Sequence, residues 1–317
     1  MPELRTVIPQ RSLKTFLAAS TVSLLLSFNA LAQTLITSDS ALTNGKATTT
    51  TYKAPGTGGI NGTVPLASNS ATTLWLMYDN PWGINSGSGT ITQTYSGTGS
   101  ITNSINLTGL PGGGVDAYPF VLYGCDPYSD CYNGQPPQFP KQLSSMSSLV
   151  LDLNYSLTGT ITGNRDVDLL YDEWVCNSSK PTDTSQCLEV EILPYYSFMY
   201  FGGGTFVKTI NEPVTLNGTA TTFAFDEYVG GTNVLFYPHT MPGLASGELR
   251  FNILDLLNAG VTAFGNSNFQ WLCGIEVGTE FGANASQSYT LTLTKLDVEQ
   301  TIAGSPNPPT NLNATVH

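Results

Sequence analysis

Strict alternation is the feature that most limits what this chain can fold into. In Cys187-Leu188-Glu189-Val190-Glu191-Ile192-Leu193, side chains flip faces at every residue of an extended strand. Leu188, Val190 and Ile192 therefore share one face, and Cys187, Glu189, Glu191 and Leu193 share the other. Short alternating or apolar runs of this kind recur at 71–78, 148–157, 168–176, 234–237, 269–277 and 289–296, with Gly, Asn, Pro and Ser clusters between them. Only 247–260 carries helical spacing, through Leu249, Ile253, Leu254, Leu256 and Leu257, with Gly260 as a stop. Many short strands and one helix predict an all-β fold. The expected form is a two-sheet β-sandwich jelly roll with one short helix packed on the convex side.

The two ends read differently from the middle. Arg5, Arg11 and Lys14 precede an apolar run at 16–28, and Ala30-Leu31-Ala32 offers a small-residue cleavage site. Residues 1–32 thus read as a signal peptide, which predicts a secreted, extracellular protein with no membrane attachment after cleavage. The apolar run is short for a membrane span, and an uncleaved anchor is the alternative. Residues 33–62 are rich in Thr, Ser and Gly and read as a solvated leader with room for one edge strand. Residues 63–300 form the expected main domain. Residues 301–317 read as a Pro-rich linker, and 308–316 resemble the first strand of a fibronectin type III domain.

Charge narrows the partners. The formal net charge is −12, which argues against nucleic acid, because that needs a basic face. Charged residues make up 11% of the chain and aromatics 10%, a composition suited to neutral ligands. A monomer is expected. Of the five cysteines, local pairing outside the cell gives Cys125–Cys131 and Cys176–Cys187, leaving Cys273 as a buried thiol. There is no Cys-x-x-Cys, and the histidines are His239 and His317, so no metal or other cofactor is expected.

Chemistry could sit on the carboxylates. Glu189 and Glu191 share a face, which suits either a solvated strand or the floor of a cleft. Asp172 lies in an otherwise apolar strand, where an unpaired charge is costly. A Cys176–Cys187 link would make a hairpin with Asp172 beside Glu189. Glu276 and Glu280 share a face by the same parity. Hydrolysis of a glycosidic bond needs two carboxyl groups, and sugar rings stack on aromatic faces. Trp82, Trp174, Tyr118, Tyr123, Tyr195 and Tyr196 are candidate platforms.

Five segments in order resemble glycoside hydrolase family 12. They are Asn80-Pro81-Trp82-Gly83, the stretch from Ala117 to Cys125 with Cys131 beyond, Tyr171-Asp172-Glu173-Trp174, Glu189-Val190-Glu191-Ile192, and Gly278-Thr279-Glu280. The resemblance implies a jelly roll with an open glucan cleft and a retaining endo-β-1,4-glucanase, a cellulase, whose partner is a β-glucan. Carried over by position, Glu189 is the nucleophile, Glu280 the acid/base and Asp172 the carboxyl that supports the nucleophile. Asn80 and Trp82 would contact glucosyl units, with Tyr118, Trp174 and Glu191 as further substrate contacts. Glu191 stands where the family has Met, Leu193-Pro194 where Trp-Leu is usual, and Asp126 where many bacterial members have His. The alternatives are a non-catalytic carbohydrate-binding β-sandwich and a xyloglucanase or xylanase of the same architecture. Clustered acids also predict an optimum below about pH 6.

Overall fold

The computed structural model describes residues 33–37, 47–55, 64–65, 75–97, 99–111, 114–127, 139–159, 167–197, 204–282 and 286–303. The stretch read as a signal peptide, the tail read as a linker and Cys131 lie outside these residues. In chain order the strands are β1 (Gln33–Thr37), β2 (Thr48–Ala54), β3 (Val64–Pro65), β4 (Trp75–Tyr78), β5 (Ser88–Tyr95), β6 (Ile101–Thr108) and β7 (Val115–Ala117). Next come β8 (Phe120–Gly124), β9 (Lys141–Gln142), β10 (Met146–Gly159), β11 (Asp168–Cys176), β12 (Cys187–Tyr196), β13 (Thr205–Leu216) and β14 (Thr219–Gly230). The chain ends with β15 (Asn233–Pro238), β16 (Ser246–Asn252), helix α1 (Ile253–Phe264), β17 (Trp271–Leu272), β18 (Gly274–Gly278), β19 (Phe281–Gly282) and β20 (Ser286–Ile302).

Two layers result. One runs β3–β4–β8–β18–β11–β12–β15–β14–β13, antiparallel except where β12 and β15 lie parallel. The other runs β16–β10–β20–β6–β5–β2, with β1 on the far end of β20. The long β13 reaches both, pairing with β14 in the first layer and with β16 in the second. The expected sandwich is therefore present, with one α-helix among the described residues.

The core between the layers follows from parity. Leu188, Val190 and Ile192 of β12 point inward with no exposure, as do Leu151 and Leu153 of β10 and Leu291 of β20. Fully burying one such side chain stabilises by roughly 1.5–3 kcal/mol. Helix α1 buries Ile253, Leu254, Leu256 and Leu257 in this core. Its Gly260 comes within 3.4–3.5 Å (built at a Cβ) of Val234, Phe236 and Val190, so the helix lies against the side of β12 and β15 opposite Glu189. Asp255 sits in its first turn, where a negative charge suits the helix dipole, and Gly265 caps its end in the left-handed conformation at φ 78°.

Three sequence readings change here. The helix starts at Ile253, and 246–252 is strand β16, because Leu249 and Phe251 alternate and pair with Leu153 and Leu151 of β10. The stretch read as a solvated leader supplies β1 and β2, and β2 pairs along its whole length with β5 and buries Tyr52. Of the aromatic platform candidates, Tyr123 and Tyr195 belong to the core between the layers.

Candidate active site

Cross-strand register assembles the site. On the face of the first layer away from the core, Leu76 of β4 pairs with Leu122 of β8, and Leu122 pairs with Glu276 of β18. Tyr171 of β11 pairs with Val277, and continuing that register by one residue sets Asp172 opposite Glu276. Asp172 then pairs with Glu191 of β12, Glu191 with Leu235, Leu235 with Tyr228, and Tyr228 with Phe206. One row across eight strands is thus apolar at both ends and acidic in the middle. Glu189 stands one pleat along β12 from Glu191, paired with Trp174 on one side and Asn233 on the other.

Glu280 reaches the same face from just beyond β18. Gly278 lets that chain pass close to the preceding loop, since a Cβ there would meet the Pro119 carbonyl at 2.5 Å. Thr279 is buried, and its hydroxyl lies 2.8 Å from that of Tyr289. The Glu280 N–H donates to Asp168 Oδ1 at 2.8 Å, and the Asp168 N–H donates to the Glu280 carbonyl at 3.1 Å. Asp168, itself only 1% exposed, therefore clamps the Glu280 backbone from both directions.

The opposite wall is a loop carrying Trp82. The Gly83 N–H donates to the Asp116 carbonyl at 2.8 Å, and a Cβ at Gly83 would lie 2.9 Å from the Asp116 backbone, so only glycine allows this seat. The Tyr118 N–H donates to the Asn80 carbonyl at 3.1 Å. Trp82 is held out from the fold at 56% exposure, an arrangement that stability alone does not favour.

These parts enclose a cavity of about 580 Å³ lined by Asn80, Trp82, Tyr118, Phe120, Asp126, Asp172, Trp174, Glu189, Glu276 and Glu280. The residues expected from the sequence at 80, 82, 118, 172, 174, 189 and 280 meet there. Glu191 is not in the lining; its Oε1 accepts from Asn233 Nδ2 at 3.0 Å, and it lies beside Asp172. Glu276, Asp126 and Asp168 were not among the expected site residues. Parity already placed Glu276 with Glu280, whereas the Asp168–Glu280 contact spans 112 residues and leaves no local signal.

Among the described residues no cation lines the cavity, and acids so crowded cannot all be ionised together. Burial pushes Glu189 up to about 7. Burial also pushes Asp172 well above the usual range, and the charges of Glu189, Glu276, Glu191 and Glu280 add to it. Glu280 is raised by burial, then by Asp168 and Glu189. Glu276 is raised by burial, then by Asp126, Glu173 and Glu189. Such a set holds protons at mildly acidic pH and can present an ionised carboxylate and a carboxylic acid to one substrate, which is the requirement of general acid and nucleophilic catalysis.

Covalent and metal chemistry lie to one side. Cys176 and Cys187 form a disulfide that closes the β11–β12 hairpin. Cys125 is also disulfide-bonded. Cys273 is a buried free thiol with its Sγ 3.0 Å from that of Cys176. Among the described residues, the sulfurs of Cys176, Cys187 and Cys273 form the only cluster tight enough to hold a metal ion, and two of them are engaged in the disulfide. No helix among the described residues is long and apolar enough to cross a membrane.

The family model described as glycosyl hydrolase family 12 matches residues 73–299. Curated proteins give no match. Among solved structures, the fold is similar to a metagenome-derived glycoside hydrolase family 12 endoglucanase, at 18% identity and TM-score 0.57, covering 81% of this chain and 99% of that one. A native family 12 xyloglucanase from Bacillus licheniformis is similar at 18% identity and TM-score 0.57, covering 79% of this chain and 100% of that one. An endoglucanase from Rhodothermus marinus is similar at 17% identity and TM-score 0.54, covering 72% and 92% respectively.

Proposed function

The chain belongs to glycosyl hydrolase family 12, and from that premise we propose that it is a secreted, retaining endo-β-1,4-glucanase acting on cellulose or a related β-glucan. The observation that carries the proposal is the opening of Glu189, Asp172 and Glu280 onto one cavity walled by Trp82 and Trp174. Glu189 is assigned as nucleophile, Glu280 as acid/base and Asp172 as the carboxyl that supports Glu189. Asn80, Trp82, Tyr118 and Trp174 bind the glucan, and Glu191 acts at one remove, through Asp172.

The reaction runs in two displacements. Glu189 attacks the anomeric carbon through a carboxylate oxygen while the bond to the glycosidic oxygen breaks. The Glu280 carboxylic acid gives its proton to that leaving oxygen. A glycosyl ester on Glu189 remains. Water then attacks the same carbon, its proton passes to Glu280, and the Glu189 carboxylate is released. Two inversions give net retention. Asp172, held neutral by burial and its acidic neighbours, can share its proton with Glu189 and discharge it at need.

Xyloglucan is the second reading, since the Bacillus licheniformis xyloglucanase is as similar as the metagenomic endoglucanase. Product analysis on cello-oligosaccharides and xyloglucan with anomer detection tests both. The expected products are internal fragments with the β-anomer formed first. First-formed α-anomer would overturn retention, and full activity in Glu189→Gln or Glu280→Gln would overturn the residue assignments.

A further inference from the structure

The family reaction needs Glu189, Glu280 and Asp172, yet the cavity holds two further carboxyls, Glu276 and Asp126. Glu276 is placed there deliberately by strand parity. Its neighbours Ile275 and Val277 lie in the core with no exposure, and the Glu276 side chain turns the other way, onto the cavity. It is 3% exposed, and its Oε1 meets no hydrogen-bond donor. Register puts Leu122 on one side of it and Asp172 on the other.

This is a poor place for a carboxyl. An unmade buried hydrogen bond is destabilising, and like groups abreast on neighbouring strands repel. A leucine, matching Leu122 beside it, would remove both penalties. A hydroxyl brought by a ligand would supply the donor that Oε1 lacks. Among the described residues, the lining supplies no Lys or Arg to fill that role. The terminal carboxyl torsion is soft, so a modest rotation presents the orphan oxygen to the cavity.

We propose that Glu276, with Asp126 next to it, forms a sugar-binding position on the Trp174 side of the cleft, in which the Glu276 carboxyl accepts a hydrogen bond from a ring hydroxyl of a neutral glucosyl unit. The proposal rests on the reading of the cleft as a β-glucan site and adds to it a specificity-determining residue. Asp126 lines the same cavity as Glu276, and its charge is the one that, after burial, raises Glu276 most.

The test compares Glu276→Gln, which keeps an acceptor oxygen, with Glu276→Leu, which keeps the volume and removes it. With cellotetraose and cellopentaose, Leu is expected to raise KM about tenfold or more with the smaller part of the loss in kcat, whereas Gln recovers most of the affinity. Monodeoxy cello-oligosaccharides supply a second arm, read as a KM ratio within each protein, which a reduced folded fraction of the Leu variant does not change. One hydroxyl deletion should weaken the wild-type and Gln proteins about tenfold, and the same deletion should cost the Leu variant little. Unchanged KM in Leu, equal kcat losses in Gln and Leu, or no deoxy position whose penalty depends on residue 276 would each overturn the assignment. A wild-type protein that neither binds nor cleaves any β-glucan would overturn the family-based reading itself, which is a separable result.

Discussion

Replacing the assigned nucleophile should make the protein more stable, by an amount that depends on pH. Burial lifts Glu189 from the ordinary 4.5 to about 7. A carboxyl whose pKa is higher in the fold than in the unfolded chain holds its proton more tightly when folded. Its favourable contribution is therefore complete below 4.5 and is lost as pH rises through the interval to about 7. At 1.36 kcal/mol per unit, charging Glu189 in place costs about 3 kcal/mol by pH 8. Glutamine has nearly the same shape and never ionises. For a domain of this size, the relief corresponds to a rise in Tm of roughly 5–10 °C. Thermal unfolding of Glu189→Gln and the wild-type protein at pH 4 and pH 8 measures it. The two should coincide within about 2 °C at pH 4 and separate at pH 8, while reducing-sugar release from carboxymethyl-cellulose disappears in the variant. An equal Tm gain at both pH values would refute the reasoning, since a gain from packing has no reason to follow the carboxyl's titration. No gain at pH 8 would show that Glu189 is not held against its charge.

Three other outcomes are expected. Asp168→Ala should lower kcat on cello-oligosaccharides roughly tenfold to a hundredfold, because misplacing a catalytic group by about an ångström costs that much; Asp168→Asn, which keeps Oδ1 for the Glu280 N–H, should recover much of the rate, and equal losses would exclude the clamp. Trp82→Ala should raise KM several-fold with Tm unchanged, since the ring is mostly solvent-exposed and its loss leaves no core cavity. The acid limb of kcat/KM should lie near pH 6–7, above the ordinary glutamate range, because Glu189 must ionise first; this moves the optimum upward from the sequence-based expectation, and an acid limb near pH 4 in a pH–rate profile would contradict it.

How much of this was legible depended on whether burial differs between the two faces of a strand. In β12 the inner face is Leu188, Val190 and Ile192, so period and facing could be read at once, and with them the position of Glu189; β11 is buried on both faces, with Glu173 among the inward residues, and only its pairing with β12 sets the facing of Asp172. The β13–β14 hairpin carries no such contrast near its start, where 205–209 are all exposed, and it was not anticipated. β2 carries Thr48, Thr49, Thr50 and Thr51 on both faces, which reads as solvated chain until its pairing with β5 is known. At the β16–α1 boundary, Leu249, Phe251 and Ile253 satisfy the strand period, while Leu249, Ile253, Leu256 and Leu257 satisfy the helical one, and only pairing with β10 decides. The same holds in the site. Local parity finds Glu276 and Glu280, but the neighbours that give them chemistry, Asp126 and Asp168, come from other elements.

The Cys176–Cys187 link has a practical consequence for anyone preparing the protein. It joins facing residues at the loop end of the hairpin, two positions from Glu189 and four from Asp172. A slip of one residue in that pairing would turn Glu189 into the core and Val190 into the cleft. Cys273 stands 3.0 Å from Cys176 as an alternative sulfur, and a bond formed there would leave β12 untethered. Material made under reducing conditions should therefore be heterogeneous in the fraction of competent molecules rather than uniformly weakened. Titrating competent sites with a mechanism-based inhibitor, rather than averaging a specific activity over all the protein present, is the measurement that would report the redox history of a preparation.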